Sequence, residues 1–380
     1  MKHQRKSQYW MVALILVILI GGGLVYQVTK HPSDASAQPT THSSQKSKPV
    51  ATTTSKTTST KSSTTSTSRA TSSHATQAPD KVYGSAVALD QSSNAGLKTV
   101  IAQTMANVAA STHGPARWTV AVKALNGSST HAYVADWTPA NMQFSASTIK
   151  LFILIRYYQC LAAGSLKRTD TYTLRKQDVV EGSGVMLKAP LGTNYTLQQL
   201  VTLMIEKSDN IATNVLMDKV GGFAAVNRTI AGLVGANHYS SLERKMMDTS
   251  NISNGKANRI NAQEVVDTLQ KLYAGKIISR SADNEMLDMM TKTFNRTKLP
   301  ANLPGGAVCY NKSGESSYRG IENDMAIIVY QGHAFAVCAL TEMDGEGQTP
   351  KDALPAQTNS QVSAIAALGA NLTQWFVTND

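Results

Sequence analysis

Apolar residues recur along the chain with the periods of strands and helices, and the strand-like runs lie toward the two ends of a long segment. The predicted strands are Arg117–Leu125, His131–Ala135, Ala307–Asn311, Met325–Tyr330 and Ala334–Leu340. The first two flank an Asn126-Gly127 turn, which is typical of a β-hairpin. The simplest assembly of these runs is one antiparallel sheet built from both ends of the domain.

Helical periodicity fills the chain between these strands and beside them. The predicted helices are Asn94–Ala110, Thr148–Leu161, Leu197–Glu206, Ile211–Val220, Ala262–Tyr273 and Ser363–Phe376. An antiparallel sheet with flanking helices and an all-helical insert is an α/β fold of the α+β kind.

An uncharged, strongly apolar run near the N-terminus predicts a membrane anchor. It lies between Lys6 and Lys30 and has 23 residues, enough for a helix to cross a hydrocarbon core of about 30 Å. Aromatic residues near its ends and basic residues before it favour a cytoplasmic N-terminus. These residues are Tyr9, Trp10, Tyr26, Lys2, Arg5 and Lys6. We therefore expect residues 1–30 to form a cytoplasmic stub and an anchor, which contacts the membrane through residues 8–28.

The alternative at the N-terminus is a cleaved secretory signal peptide. Ala35-Ser36-Ala37 resembles a small-residue cleavage site, although the apolar run is longer than a usual signal-peptide core. The chain is exported under both hypotheses. It is then either a single-pass membrane protein with its C-terminal domain outside the cell, or a protein secreted after cleavage near Ala37.

Composition separates this N-terminal region from the rest of the chain. Residues 31–80 contain 26 Ser and Thr among 50 positions, which predicts a disordered tether before a domain at residues 81–380. The formal charge is +11, but +7 of it lies in the first 80 residues, and the other 300 residues carry only +4. The charge therefore implies no nucleic-acid partner. As a separate expectation, we predict that the protein is a monomer.

The cysteine and histidine patterns contain no recognisable metal or redox motif. Cys160, Cys309 and Cys338 include no C-x-x-C pair, and the eight histidines form no H-x-H or H-E-x-x-H pair. We predict neither a metal site nor a cofactor. The three thiols are expected to be buried, and the domain is expected to depend on apolar burial for its stability.

Candidate chemistry begins at Ser147, at the start of an apolar helix. Free backbone N–H groups at a helix start can stabilise a developing oxyanion. Lys150 is three residues further on and shares a helix face with Ser147. A partly desolvated lysine can lose its proton near neutral pH and activate a serine. The same S-x-x-K spacing also occurs at Ser43 and Ser253, so this motif alone is weak.

Two further motifs strengthen the interpretation. Ser208-Asp209-Asn210 lies between two predicted helices, and Lys312-Ser313-Gly314 follows a predicted strand. Ser208 is 61 residues after Ser147, and Lys312 is 104 residues after Ser208. The three motifs in this order resemble class A β-lactamases and penicillin-binding proteins, and the spacing is closest to the class A enzymes. The resemblance runs from about residue 90 to the C-terminus and includes Glu181-Gly182-Ser183-Gly184.

The resemblance implies a fold and a set of roles. The fold would be a five-stranded antiparallel sheet flanked by helices, with a helical subdomain and the active site between them. Ser147 would be the acylating nucleophile, Lys150 its proton acceptor, and Ser208 a relay to the leaving nitrogen. Lys312 would be the fourth catalytic residue, and the substrate-binding residues would be Asn210, Ser313, Gly314, Glu315 and Arg319.

The resemblance assigns two groups of the substrate to different residues of the site. Asn210 would hold the side-chain amide of the substrate, and Lys312 with Ser313 would bind its carboxylate. Arg319 is similar to a second carboxylate-binding arginine of some class A enzymes. The N–H groups of Ser147 and Glu315 would form the oxyanion hole. In this sheet order a third strand separates Cys309 from Cys338, so the resemblance disfavours a disulfide between them.

One segment departs from the class A pattern. The loop Leu-Asp-Arg-x-Glu-x-x-x-Asn of that family carries the glutamate that activates the deacylating water. Here the matching stretch is Leu242–Ser250, with Met246 at the glutamate position and Ser250 at the asparagine position. A thioether cannot accept a proton, so fast deacylation would need Glu243 or Asp248 as a substitute. General-base assistance is worth roughly 10²–10⁴-fold in rate.

Three functional hypotheses follow. The first is an exported serine hydrolase that opens β-lactams through a Ser147 acyl-enzyme. The second is a penicillin-binding-like carboxypeptidase or hydrolase that acts on cell-wall peptides or esters. The third, from another class, is a surface module that keeps the fold only for binding. The substrate partner is therefore a β-lactam or a peptidoglycan-type molecule in the first two hypotheses.

Overall fold

A computed structural model of the chain describes residues 94–108, 116–126, 132–135, 142–248, 250–251, 256–316, 320–343 and 355–379. The predicted anchor, the predicted tether and Arg319 lie outside the described residues. No helix within these ranges has both the length and the apolar character needed to cross a membrane.

A five-stranded antiparallel sheet forms the centre of the domain. The strands are β1 (Ala116–Ala124), β2 (Ala132–Ala135), β3 (Met142–Phe144), β4 (Thr171–Thr173), β5 (Asn194–Thr196), β6 (Arg259–Asn261), β7 (Val308–Ser316), β8 (Ile321–Tyr330) and β9 (His333–Met343). The main sheet has the order β2-β1-β9-β8-β7, while β3 pairs with β6 and β4 pairs with β5. The predicted sheet from both ends of the chain is confirmed.

Helices cover both faces of the sheet and form the insert between its strands. They are α1 (Ala95–Met105), α2 (Lys150–Ala162), α3 (Leu197–Glu206), α4 (Asn210–Lys219), α5 (Gly222–Val234), α6 (Ala262–Tyr273), α7 (Arg280–Thr291) and α8 (Pro355–Asn379). One apolar cluster joins α1 and α8 to one face, and a second joins the insert to the other. The predicted α+β fold is therefore confirmed.

Strand β9 illustrates why the central strands are apolar throughout. Phe335 and Val337 point into the cluster with α1 and α8, whereas Ala336 and Cys338 point into the cluster with the insert. Successive side chains of a strand point to opposite faces, so a strand covered on both faces must be apolar at nearly every position.

The three cysteines are buried thiols, as predicted. Cys160 lies on α2, Cys309 on β7 and Cys338 on β9. Strand β8 separates β7 from β9, which agrees with the expectation that Cys309 and Cys338 are not neighbours in the sheet.

Several elements differ from the sequence-based expectations: helices α5 and α7 and the short strands β3, β4, β5 and β6 were not predicted, and α8 begins at Pro355 rather than at Ser363. Helix α7 was not predicted because its sequence is largely polar, and its apolar face consists mainly of Met286, Leu287, Met289 and Met290. The buried carboxylate of Asp283 accepts hydrogen bonds from the N–H groups of Ile277 and Ile278, so it stabilises the turn that leads into α7. Strand β7 continues to Ser316, five residues beyond its predicted end.

The aromatic contact between α8 and the sheet provides a stability test. Phe376 is fully buried, and its ring stacks on that of Phe335 with a centroid distance of 4.4 Å. Phe376→Ala should lower the free energy of unfolding by about 3–5 kcal/mol because it leaves a cavity between α8 and β9. Urea denaturation measures this loss.

The matched control for Phe376→Ala is Gln374→Ala on the exposed side of the same helix. It should change the free energy of unfolding by no more than about 0.5 kcal/mol. Similar losses for the two variants would contradict the proposed packing of α8.

Candidate active site

Ser147 lies in a short 3-10 turn, Ala146–Ile149, that continues directly into α2. Ala146 has a φ of 43°, a region that non-glycine residues seldom occupy and that often marks a functional site. The turn is held from two sides, since the Ser145 N–H donates to the Asn258 carbonyl and the Asn323 amide donates to the Phe144 carbonyl. The half-buried Ser147 therefore has a fixed position at the start of an apolar helix.

The close approach of β7 to this turn requires a glycine at position 314. A Cβ atom on Gly314 would lie 2.8 Å from the Ser145 carbonyl oxygen and 2.8 Å from the Ser147 nitrogen. Such distances are far below ordinary van der Waals contact. The absence of a side chain thus brings the Ser147 N–H beside the strand that carries Glu315, the residue predicted to supply the other oxyanion donor.

Lys150 is completely buried and contacts the Ser208-Asp209-Asn210 motif. Its Nζ donates to the Ser208 carbonyl at 2.6 Å, to Ser208 Oγ at 3.2 Å and to Asn210 Oδ1 at 3.0 Å. All three acceptors are neutral. Burial, followed by the positive charge of Lys312, holds the pKa of Lys150 well below that of an ordinary lysine.

The resemblance implies proton transfer from Ser147 to Lys150, but no hydrogen bond joins their side chains within the described residues. Lys150 instead uses its three donors on the second motif. Hydrogen bonds needed in catalysis often form only in the substrate complex, so this arrangement is compatible with the predicted role.

Ser208 lies between two buried lysines. Lys312 Nζ donates to Ser208 Oγ at 3.1 Å and to the Ser313 carbonyl at 2.8 Å. Lys150 and Lys312, which are far apart in sequence, therefore both contact this hydroxyl. Burial lowers the pKa of Lys312 to about 8, although Glu315 and Asp324 oppose this shift. The structure thus connects residues of all three motifs through a single hydroxyl group.

Asp209 is a positioning residue that the sequence analysis did not single out. One carboxylate oxygen accepts the Ala212 N–H at 2.9 Å and caps α4. The other accepts the N–H groups of Val185 and Met186 at 2.7 and 2.8 Å. Its place in the Ser208-Asp209-Asn210 motif was a signal, but its partners 23 and 24 residues away in sequence could not be identified without the fold.

The Glu181–Gly184 segment forms one wall beside Asn210. The Asn210 N–H donates to the Ser183 carbonyl at 2.9 Å, and its side-chain amide donates to the Glu181 carbonyl at 3.2 Å. A Cβ atom on Gly184 would lie 2.2 Å from Asp209 Oδ2, so only glycine permits this contact. Asn210 therefore contacts Lys150 through its oxygen and this segment through its amide nitrogen.

Beyond Gly314, the strand carries Glu315 into a group of charged side chains. Glu315 Oε1 lies 2.8 Å from the Nζ of buried Lys298 and accepts the Asn295 amide at 2.6 Å. Burial raises the pKa of the Glu315 carboxyl, but Lys298 and Lys312 outweigh this effect and leave the pKa below its usual value. The sequence analysis assigned Glu315 only a backbone role and missed Lys298.

The loop around Met246 keeps its backbone anchor but has no proton acceptor at that position. The Met246 N–H donates to Asn214 Oδ1 at 2.7 Å, and the Asn214 amide donates to the Met246 carbonyl at 3.2 Å. The Met246 side chain is only 6% exposed and belongs to the apolar core of the insert.

The two candidate substitute carboxylates both accept hydrogen bonds from other groups of the protein. Glu243 accepts hydrogen bonds from the Ser241 hydroxyl at 3.1 Å and the Ala257 N–H at 3.4 Å. Asp248 accepts from the Ser250 hydroxyl at 2.6 Å and from the Asn251 side chain at 2.5 Å, and these bonds lower its pKa. Both carboxylates thus stabilise the loop.

The described part of the chain contains no cluster of three or more His, Cys, Asp or Glu side chains arranged to hold a metal ion.

Comparisons with known proteins identify the family of the chain. Residues 99–376 match the Beta-lactamase enzyme family, and the chain belongs to it. A β-lactamase of Rhodobacter capsulatus is 26% identical over 212 residues, which are 55% of this chain and 71% of that protein. Homologues of this family imply a serine hydrolase.

Solved structures share the fold. The β-lactamase from Sphaerobacter thermophilus is 27% identical, with a TM-score of 0.62 over 74% of this chain and 97% of that one. PBP-A is 20% identical, with a TM-score of 0.61 over the same shares, and at this identity the likeness concerns the fold alone.

The two buried lysines make a measurable electrostatic prediction. Lys312→Met should raise the pKa of Lys150, because it removes the positive charge that helps to lower it. The pKa should still remain below that of an ordinary lysine, since burial persists. Lysine ¹³Cε NMR titration measures the change, and in the native protein Lys312 should titrate near pH 8.

Lys276→Met, at an exposed lysine, is the control and should leave the Lys150 titration in place. A Lys150 that titrates like a solvent-exposed lysine in the native protein would refute the electrostatic description of the site.

Proposed function

We propose that the protein opens β-lactams by acylation of Ser147 and releases the acyl group slowly. The observation that carries this proposal is the position of Ser208 Oγ, 3.2 Å from Lys150 Nζ and 3.1 Å from Lys312 Nζ. A hydroxyl between two lysines whose pKa values are lowered is suited to transfer a proton, and both lysines come from motifs of the same resemblance.

Acylation begins with neutral Lys150. It accepts the proton of Ser147 while Oγ attacks the carbonyl carbon of the β-lactam. The oxyanion receives hydrogen bonds from the N–H groups of Ser147 and Glu315. The proton then passes from Lys150 through Ser208 to the lactam nitrogen as the C–N bond breaks, and Lys312 stabilises the charge that develops on Ser208.

Deacylation lacks an obvious general base. Met246 has a buried thioether where the resemblance expects the glutamate, and the carboxylates of Glu243 and Asp248 already accept hydrogen bonds from other groups of the protein. Without general-base assistance, hydrolysis of the acyl-enzyme should be roughly 10²–10⁴-fold slower than with it. The Ser147 acyl-enzyme should therefore accumulate.

Met246 also favours a second candidate function on the same fold. A penicillin-binding-like enzyme acylated by cell-wall peptides or esters does not depend on rapid hydrolysis of a β-lactam. PBP-A shares the fold, and one solved structure of a PBP-A variant is an acyl-enzyme complex with penicillin G. We propose this function as the alternative to a slow β-lactamase.

We further propose that the domain works outside the cell. The support is the 23-residue uncharged run near the N-terminus and the Ser/Thr-rich residues that follow it.

A labelling experiment with the full chain tests acylation. A fluorescent penicillin should form a stable covalent adduct, which Ser147→Ala should abolish and the exposed Ser281→Ala should not affect. Lys150→Arg should slow labelling about 10²–10⁴-fold, because a guanidinium does not release its proton near neutral pH. Labelling should rise with pH as Lys150 loses its proton and fall above about pH 8 as Lys312 loses its own.

Gel fluorescence measures labelling, and a chromogenic cephalosporin measures turnover. Rapid colour formation would contradict slow release. If no adduct forms with penicillins, cell-wall peptides or simple esters, both enzymatic proposals are wrong and the binding-module hypothesis gains support.

Met246→Glu tests the cause of slow release. The hydrogen bonds between Asn214 and the backbone of residue 246 do not depend on the side chain at that position, so the loop should keep its conformation. The added carboxylate should accelerate loss of the acyl label by as much as about 10²–10⁴-fold. Met246→Gln has nearly the same shape without the base, and equal rates for the two variants would disprove the assignment of position 246.

A further inference from the structure

We propose that the Glu315 side chain occupies the carboxylate-binding part of this cleft, so that the enzyme prefers substrates with a neutral or cationic group at that position. The inference rests on acylation at Ser147. It assigns Glu315 a role in specificity beyond the backbone role given to it by the resemblance.

The position of Glu315 on β7 supports this role. Ser313, the predicted carboxylate ligand, is two residues before Glu315, so the two side chains lie on the same face of the strand. The Ser313 side chain is also among the groups that stabilise the charged form of the Glu315 carboxylate. The group predicted to bind the substrate's carboxylate therefore lies beside a carboxylate of the protein.

Lys298 holds Glu315 in this position. Its side chain is only 1% exposed, and its Nζ lies 2.8 Å from Glu315 Oε1 and 2.7 Å from Glu322 Oε2. It also donates to the Asn323 carbonyl at 3.0 Å. An ammonium group has three donors, so Lys298 has none left for a substrate.

Glu315 nevertheless remains accessible, with 28% of its side chain exposed. Its partners Lys298 and Asn295 fix the carboxylate, while Glu322 on β8 shares the charge of Lys298. Two carboxylates thus surround one buried lysine. The positive charge of Lys298 cannot be counted as attraction for an anionic substrate.

The consequence for binding is electrostatic. Lys312 uses two of its donors on Ser208 and Ser313, which leaves one for a substrate, beside the negative charge of Glu315. A substrate carboxylate there would meet a like charge where little water screens it. An amide, ester or amine would avoid this repulsion, and an amine would gain an attractive partner.

The test compares benzylpenicillin with its methyl ester, in which the carboxylate at this position is replaced by a neutral group that is larger by one methyl. In the native chain, the ester should acylate Ser147 faster than the acid. The acid-to-ester ratio of acylation rates should increase at least about tenfold in Glu315→Gln and Glu315→Ala, because the repelling charge is gone. An unchanged ratio, or a native preference for the acid, would overturn the inference.

Glu322→Gln is the matched control. It removes the other carboxylate bound to Lys298, but it lies on β8 and should change the ratio by less than about twofold. A tenfold change in this variant would assign the effect to Lys298 and refute the role of Glu315. Glu315→Gln keeps the size of the side chain and one acceptor oxygen for Lys298 and Asn295, and thermal unfolding shows that each variant folds.

A binding measurement separates this inference from the proposed function. In Ser147→Ala, calorimetry gives the affinity for benzylpenicillin without acylation. Adding Glu315→Gln should tighten binding by about tenfold, and no tightening would overturn the inference even if the native chain is never acylated. Absence of acylation by both compounds in the native chain would instead refute the proposed function.

Discussion

The site depends on the burial of two lysines around one hydroxyl group. Lys150 and Lys312 both bind Ser208 Oγ, and each is almost completely removed from water. Two full positive charges in such a place would be costly, and the cost is reduced when Lys150 gives up its proton. The features that hold this arrangement are spread over the fold: Asp209 fixes Ser208 on the insert, and Gly314 allows β7 to reach the start of α2.

In the loop around Met246, the hydrogen bonds that hold the backbone do not involve the side chain at position 246. Asn214 binds both backbone groups of Met246, and Asn258 accepts the N–H groups of Glu243 and Arg244. These bonds would fix a glutamate in the same way as a methionine, because they involve no side-chain atom of residue 246. Under the proposed function, the side chain at position 246 alone therefore separates acylation from hydrolysis. Under the inference drawn for Glu315, its ion pair with Lys298 has the same character, since it changes the charge of the cleft without changing the path of the strand.

Local sequence signals predicted most of the fold. Helices α3 and α6 have the predicted bounds, because Thr196 with Gln199 and Asn261 cap their starts and their apolar faces are clear. Strand β7 was predicted to end at Asn311, since lysine, serine and glycine are poor local signals for a strand. Pairing of Lys312 with Met325 and of Gly314 with Asn323 extends it. The motif residues were identifiable from order and spacing, whereas the contacts of Asp209, Asn214 and Lys298 join residues distant in sequence and require the fold.

The contact between Gly314 and Ser147 has a further consequence for biosynthesis. The two residues are 167 positions apart, on opposite sides of the helical insert, and neither Ser147 nor strand β7 forms the candidate site alone. The ribosome must therefore synthesise almost the whole domain before Ser147 can contact Gly314. Partly synthesised or unfolded chains lack this contact, so the reactivity proposed for Ser147 is confined to folded molecules.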